Sequence, residues 1–372
     1  MKSVGIITYH CADNFGGVLQ VYALMKTIEQ LGLRAEVIDF QPKEITYQYS
    51  PKFDIEYSLK TQGLLITLKG MLKRLQNKST LKEKSKNFSE FREEHLKLSM
   101  DTYLTEISLK EKPPKYDFYI TGSDQVWNPD LFEKIGNSYF LDFASPESSK
   151  TSYAASIAKK VGNEYSDVFK DNLERFNYVS VREESAKLYL EDKTDKEVKV
   201  TIDPTLLLSK NDWVQISTYN KNDEKFILVY DLVKDPVIVS VANKIAKDNG
   251  YKIISYSNAK GYENWKGSFS TNNPTDFLGL VEKAEVIVTS SFHGTAFSII
   301  YNKTFYTVPH PTRGSRMIDF LNKLQLSDRM VTDVRQLDEM NLEIDYTKVN
   351  KKLIELRNDS LEFLQIALGI KK

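Results

Sequence analysis

One histidine stands between a short apolar strand and a helix, a place where protein chemistry is common. Val286–Thr289 is a β-branched apolar run that ends in hydroxyl residues, and Thr295–Ile300 beyond it is typical of a buried helix. His293 should therefore lie at the carboxyl end of a parallel strand, where open α/β sheets bind ligands. An imidazole beside the N–H groups of a helix start can handle both a proton and an anion. The alternative is a histidine that only caps its own helix.

Other predicted strands of the chain also end in polar residues. Because the carboxyl ends of parallel strands share one edge of a sheet, two such sheets facing each other would gather these residues around a cleft. We expect Glu183 and Asp203, which also follow predicted strands, to lie at this cleft. The candidate catalytic residues are His293, Asp124 and Asp13. The candidate substrate-binding residues are Arg182, Arg313, Arg316, Asn14, Gly16, Gly17, Ser123, Gln125, Trp127, Ser290, Ser291 and Gly294.

Three arginines of this set give the cleft a concentrated positive charge in a chain of zero net charge. A guanidinium binds carboxylate or phosphate through two parallel hydrogen bonds, so the pattern indicates an anionic substrate. Two alternatives remain open. Arg182 could pair with the acidic residues that follow it, and Arg313 and Arg316 could belong to a solvated loop.

The first strand-to-helix turn and one tryptophan have two interpretations each. The turn Asn14–Gly17 offers helix-start N–H groups to an anion or a sugar hydroxyl, but its glycines could serve steric needs alone. Its spacing is not that of a dinucleotide-binding loop. Trp127 could stack on a sugar ring or pack in the core.

Composition narrows the classes of protein to consider. A chain of 372 residues favours two domains, and its 51 basic and 51 acidic residues give no sign of nucleic-acid binding. One cysteine excludes a disulfide framework and a cysteine-built metal site, and the four histidines are not paired at metal-ligand spacing. The sequence contains no P-loop, HExxH or GxSxG motif. No signal region or transmembrane run is evident, which predicts a cytoplasmic protein.

The alternation of strands and helices predicts an α/β fold with two Rossmann-like, doubly wound domains facing each other across a cleft. We expect an N-terminal domain over residues 1–208 with a basic helical insertion at about 41–115, on the acceptor side. A donor-side domain should cover 209–345, and a helix in 346–372 should pack back on the first domain. Short strands are also predicted at Tyr139–Phe143 and Ser152–Ser156.

The segment 60–78 resembles a basic amphipathic helix. It contains five basic residues and no acidic ones, and six leucine or methionine residues recur at helical spacing. One interpretation is a helix packed on its own domain with a solvated lysine face. The other is peripheral contact with an anionic membrane, which would place the protein at the inner face of the membrane.

Five motifs in order carry a resemblance to a known family. They are Asn14–Gln20, Thr121–Trp127, Ser180–Glu183, Asp203–Thr205 and Ser290–Gly294. Together they are similar to the polysaccharide pyruvyl transferases, over roughly residues 3–325. The resemblance implies a fold like the two-domain GT-B glycosyltransferases. It also implies transfer of a pyruvyl group from phosphoenolpyruvate to two hydroxyls of a sugar or lipid-linked oligosaccharide, which yields a cyclic ketal and phosphate.

The chemistry of that reaction requires a general acid, for which His293 is the best placed candidate, and a base, for which Asp124 or Asp13 could serve. It requires no metal or cofactor. Arg182, with Arg313 or Arg316, would hold the donor. Some family members carry an arginine where this chain has Ser291. Either a loop arginine supplies that charge, or the donor pose differs, or the donor is another compound.

Two rival functions stay open from the sequence. The same two-domain layout would serve a glycosyltransferase that uses a nucleotide sugar. It would also serve a non-catalytic protein that binds a sugar or an anion.

Overall fold

A computed structural model of the chain describes residues 1–159, 161–218, 224–256, 265, 269, 271–309, 314–338 and 343–371. These residues form two β-sheets in which every strand pair is parallel. The first sheet contains β1 (Ser3–Ile7), β2 (Arg34–Phe40), β3 (Leu98–Tyr103), β4 (Phe118–Thr121), β5 (Ser149–Ala155), β6 (Tyr178–Val181) and β7 (Val198–Val200). The second contains β8 (Phe226–Tyr230), β9 (Lys252–Ser255), β10 (Val286–Thr289) and β11 (Thr304–Thr307). The predicted pair of α/β sheets is confirmed.

The strand order is β3-β2-β1-β4-β5-β6-β7 in the first sheet and β11-β10-β8-β9 in the second. Every residue of β1, β8 and β10 is buried. A parallel sheet covered on both faces requires such continuous apolar strands, which is why these segments stand out in the sequence.

Helices connect the strands. They are α1 (Phe15–Gln30), α2 (Lys43–Tyr49), α3 (Ile55–Gln62), α4 (Leu64–Gln76), α5 (Lys78–His95), α6 (Glu106–Glu111), α7 (Pro129–Ile135), α8 (Ser166–Leu173), α9 (Glu184–Leu190), α10 (Lys210–Val214), α11 (Pro236–Asn249), α12 (Pro274–Lys283), α13 (Phe292–Ile300), α14 (Ser315–Lys323) and α15 (Tyr346–Ala367). Within the described ranges, no helix combines the length and the apolar character needed to cross a membrane.

The predicted strand at Tyr139–Phe143 is wrong. The structure has a short 3₁₀ helix at Ser138–Phe140 instead. Tyr139 and Phe140 are both fully buried, and the Leu141 amide donates to the Ser138 carbonyl at 3.0 Å, which closes the 3₁₀ turn. Phe140 stacks on Trp127 with ring centroids 5.6 Å apart, and the 3₁₀ turn directs both rings into the same core.

The insertion is less helical than the sequence indicates. Gly63, with a φ of 77°, ends α3 and precedes α4, so 60–78 is not one continuous helix. A left-handed residue cannot continue a right-handed helix. β3 lies at the edge of the first sheet and pairs with β2, so the insertion also contributes a strand.

The two sheets share one continuous hydrophobic core. Phe15 of α1 stacks on Phe277 of α12 with centroids 4.5 Å apart and an interplanar angle of 5°. Phe88 of α5 packs on the same ring of Phe15 at 5.3 Å. The insertion and both sheets therefore meet at the start of α1, which positions that helix end between them.

The C-terminal helix α15 contacts the first sheet. Ser360 accepts a hydrogen bond from the Ile202 amide at 3.1 Å, and Arg357 donates to the Leu206 carbonyl at 2.8 Å. The ring of Phe363 lies edge-on to Tyr178 of β6. These contacts hold the segment that follows β7, which contains Asp203.

Candidate active site

Polar residues from both sheets surround a cavity of about 440 Å³. In the first sheet the strand order reverses between β1 and β4, and in the second it reverses between β8 and β10. Ligands of open α/β sheets bind at such switch points, beyond the carboxyl ends of the strands. The wall includes Asn14, Gly16, Asp124, Gln125, Ser290, Ser291, His293 and Arg316. The structure thus brings these eight predicted residues together around one pocket.

His293 lies in the first turn of α13 and joins the two halves of the site. Ser291 caps this helix, because its hydroxyl accepts the Gly294 amide at 3.3 Å. The imidazole packs so closely on Gly16 of α1 that a side-chain carbon there would lie 2.1 Å from Nδ1. The other ring nitrogen, Nε2, is 3.5 Å from Asp203 Oδ2 and has no hydrogen-bond partner among the described residues.

Asp203 is a buried carboxylate between His293 and an arginine. It follows β7, where its Oδ1 accepts the Thr205 amide at 3.0 Å and the Thr205 hydroxyl at 2.7 Å. Its Oδ2 pairs with Arg182 Nη1. Burial alone would raise the pKa of Asp203, but His293 and Arg182 hold it well below its usual range. Asp203 is therefore an anion that lies between the guanidinium of Arg182 and the imidazole of His293.

Arg182 is buried behind this pair. Its guanidinium lies over the Phe292 ring at 5.0 Å and within 3.5 Å of the Ser123 hydroxyl. Burial by itself would lower the pKa of Arg182, but Asp203 and Glu183 raise it. Nε and Nη2 have no hydrogen-bond partner among the described residues. Arg182 lines a small recess of about 50 Å³ beside the main pocket.

Arg316 is the second cation of the site and lines both the main pocket and the recess. Its Nε lies 3.8 Å from Glu183 Oε1, too far for a hydrogen bond. Burial and the neighbouring Arg182 lower the pKa of Arg316 to about 10, so it is still a cation at neutral pH. A buried cation whose charge is poorly compensated gains most from an incoming anion.

Asp124 and Gln125 follow β4 on the opposite wall and are half-buried. The Asp124 backbone has a φ of 69°, and its carboxylate accepts the Gln125 amide at 2.8 Å. Gln125 accepts from Asn128 at 3.1 Å. The side chain of Asp124 lines the pocket.

The polysaccharide pyruvyl transferase family model matches residues 14–311. The chain belongs to this family. The match covers well over half of the sequence and includes every motif described above. Membership implies an enzyme with a pyruvyl donor and a sugar acceptor.

Solved structures show the same fold at low sequence identity. A UDP-N-acetylglucosamine 2-epimerase is 12% identical with a TM-score of 0.53, over 100% of this chain and 97% of its own. The S. aureus MnaA–UDP co-structure is 13% identical with a TM-score of 0.52, over 100% and 98%. An α-glucosyltransferase in complex with UDP and a 13-mer DNA is 8% identical with a TM-score of 0.50, over 98% and 95%. This pyruvyl transferase family member therefore has a GT-B-like fold. No curated protein matches the sequence.

Asp13 and Trp127 are two of the predicted site residues that do not line the pocket. Asp13 is paired with Arg92 of α5, with its Oδ1 2.9 Å from Nη1, and burial raises the pKa of Asp13 although Arg92 acts in the opposite direction. Trp127 is fully buried, and its Nε1 donates to the Tyr139 carbonyl at 3.3 Å. Asp13 thus links α5 of the insertion to the first strand-to-helix turn, and Trp127 packs in the hydrophobic core.

Other predicted residues shape the site from behind. The Gly17 amide donates to the Asn14 side chain at 2.6 Å, which caps α1. Gly294 lies where a side-chain carbon would meet Thr289 Oγ1 at 2.4 Å, so only glycine lets α13 start this close to β10. Ser123 is buried beside Asp203 at 3.5 Å. Arg313 lies outside the described residues.

The structure adds wall residues that sequence reasoning missed. They include Tyr49, Lys84, Tyr230 and Tyr256. Lys84 of α5 donates to the Tyr256 hydroxyl at 3.0 Å, which closes the pocket between the insertion and the second sheet. Nothing in the local sequence of α5 sets Lys84 apart from its neighbouring lysines. Within the described parts of the chain, no group of three or more His, Cys, Asp and Glu side chains could hold a metal ion.

Proposed function

We propose that this enzyme transfers the pyruvyl group of phosphoenolpyruvate to two hydroxyls of a sugar during cell-surface polysaccharide biosynthesis. A proton adds to the methylene carbon of the donor, which makes the phosphate-bearing carbon electrophilic. One sugar hydroxyl attacks that carbon and loses its proton. The second hydroxyl then forms the other C–O bond as the bond to phosphate breaks, and its proton leaves with the product phosphate or a nearby base. The products are a cyclic ketal and phosphate.

The contact of His293 with Asp203 carries this proposal. A general acid must hold its proton and deliver it from a fixed position. The buried carboxylate of Asp203 lies 3.5 Å from Nε2 of His293, and Gly16 packs on the ring beside Nδ1. Arg182 touches Asp203 rather than the main pocket, so its role in this scheme is to position that carboxylate.

We assign the donor's two anionic groups to positive features of the described pocket wall. The helices α1 and α13 both begin there, and a helix start binds anions through its free N–H groups and its dipole. Arg316 adds a full positive charge. In this chain Ser291 caps α13 instead of contributing a guanidinium, so we assign the donor's phosphate or carboxylate to Arg316 and the α13 start.

Asp124 is our choice for the base. It lines the pocket, whereas Asp13 is held by Arg92 outside the wall. A carboxylate close to the acceptor can remove the proton of the attacking hydroxyl and return it to solvent. Asp124→Asn should therefore lower kcat with little change in the KM for the donor.

We also propose that α3 and α4 bind an anionic membrane that carries the acceptor. Their large apolar side chains are exposed, including Leu65 at 75% and Leu72 at 59%. Residues 60–78 have five basic and no acidic side chains, which complements anionic lipid. The protein should sediment with anionic vesicles in low salt, and Leu65→Glu with Leu72→Glu should prevent it. Leu188→Glu, at a 66% exposed site on α9, is the matched control.

The donor itself is tested by substrate screening. With a panel of sugar acceptors, phosphoenolpyruvate should be consumed and phosphate released in equal amounts. His293→Gln should abolish both. Release of a nucleoside diphosphate from a nucleotide sugar would instead assign a glycosyltransferase. Sugar binding without turnover of any donor would indicate a binding protein.

A further inference from the structure

A second cavity of about 790 Å³ opens beside the reaction pocket. Its walls come from α2, α4, α5 and the loop after β8. Lys84 and Tyr256 line both cavities, so the two spaces meet at this pair. A ligand in the second cavity could therefore extend past Lys84 toward His293.

The second cavity is strongly basic. Its described lining contains four cationic side chains and no carboxylate: Lys73, Arg74, Lys84 and Lys234. Across the described ranges, none of the four has a carboxylate oxygen within 4 Å of its charged nitrogens. Elsewhere on the surface many lysines are paired with acids at i and i+4. The unpaired charge is thus concentrated where it faces a concave space.

One of these cations is held in a fixed position. Arg74 lies over the rings of Tyr47 at 4.5 Å and Phe53 at 5.3 Å, and its Nη2 donates to the Tyr47 carbonyl. Its Nη1 is buried without a hydrogen-bond partner among the described residues. A guanidinium that is stacked on two rings at the cavity wall is pre-organised for a phosphate oxygen.

We propose that this cavity binds the phosphate or diphosphate of the acceptor, a glycosyl (di)phosphate whose sugar reaches His293. The assignment rests on the proposed function, because it takes the neighbouring pocket as the place of pyruvyl transfer. The donor's own phosphate belongs in that pocket, since neither His293 nor Arg316 lines the second cavity. The aromatic rings of Tyr47 and Phe53 suit the group beyond the phosphate, either an isoprenoid chain or a nucleoside.

Binding without any donor tests the site independently of the reaction. Titration calorimetry with farnesyl diphosphate, UDP and farnesol should show binding of the diphosphates and none of farnesol. Tighter binding of farnesyl diphosphate assigns a lipid source, and tighter binding of UDP assigns a nucleotide source. The double variant Lys73→Ala with Lys234→Ala should weaken diphosphate binding by roughly tenfold per lost charge-assisted hydrogen bond.

Lys69→Ala is the matched control. Lys69 is exposed on α4, the helix that carries Lys73, but does not line the cavity. If neither diphosphate binds, or if the double variant binds them as tightly as Lys69→Ala does, the proposal is wrong.

Kinetics then separate the acceptor from the donor. The double variant should raise the KM for a phosphorylated acceptor and leave the KM for the neutral glycoside and for phosphoenolpyruvate unchanged. A rise in the KM for phosphoenolpyruvate would assign the cavity to the donor and overturn the proposal. If no acceptor is pyruvylated, the proposed function fails while the calorimetric result for the diphosphate site still stands.

Discussion

Replacing Gly16 with alanine tests whether the imidazole of His293 must lie where the structure places it. The new methyl carbon would lie 2.1 Å from Nδ1 and 2.5 Å from Cε1, whereas ordinary contact begins at 3.4 Å. The ring must therefore retreat by more than 1 Å, and it must change its distance from Asp203. A misplacement of this size costs about 10²-fold in rate.

Folding should not suffer from this change. Alanine is more favourable than glycine within a helix by up to about 1 kcal/mol, and Gly16 lies in the first turn of α1. We expect kcat to fall by about 10²-fold while the melting temperature stays within a few degrees of wild type. Phosphate release from phosphoenolpyruvate and thermal unfolding measure the two quantities.

Lys26→Ala is the control for the Gly16 experiment, because Lys26 is exposed on the same helix, away from the pocket. It should keep wild-type kcat. If Gly16→Ala retains more than half of the wild-type activity with its fold intact, the imidazole is not held by this contact and the assignment of the acid fails.

Three further outcomes follow from the buried charges and the thiol. Asp203→Asn removes one partner of a buried ion pair and should lower the free energy of unfolding by about 3–5 kcal/mol at pH 7. The folded-state pKa of Asp203 is depressed, so the difference in unfolding free energy between wild type and Asp203→Asn should be full above a pH of about 3.9, the ordinary pKa of an aspartate. It should narrow as the pH falls through the lower folded-state pKa. Urea titrations at several pH values measure this difference. Phosphoenolpyruvate should raise the melting temperature of wild type but not of Arg316→Gln, and an equal rise in both would show that Arg316 does not bind the donor. Burial raises the pKa of Cys11 to about 12, so a thiol reagent at about pH 8 should modify it only after unfolding, and rapid native modification would contradict that burial.

The two-sheet fold could be predicted because its strands are buried on both faces. Such strands are continuous apolar runs, and polar residues mark their ends, as Val286–Thr289 illustrates. The secondary-structure predictions that are wrong lie where tertiary packing overrides the local sequence pattern. Tyr139 and Phe140 pack into the aromatic core from a 3₁₀ turn, and β3 pairs with β2, which is distant in the sequence.

The residues of the site that follow predicted strands could be predicted in the same way. Parallel strands align their carboxyl ends, so Asp124 and His293 could be expected at one cleft before any distance was known. The contact of Gly16 with His293 joins residues 277 positions apart, and no local pattern encodes it. The same is true of Lys84, which reaches the pocket only because α5 packs against both sheets.

The fate of the proton that His293 delivers can be followed directly. In D₂O, with phosphoenolpyruvate and a competent sugar acceptor, the methyl group of the ketal should carry one deuterium from solvent, visible by NMR and mass spectrometry. Phosphate should appear in equal amount, and His293→Gln should form neither product. A product that keeps the donor's methylene group would contradict ketal formation. A ketal formed at the wild-type rate by His293→Gln would contradict the role of His293 as the general acid.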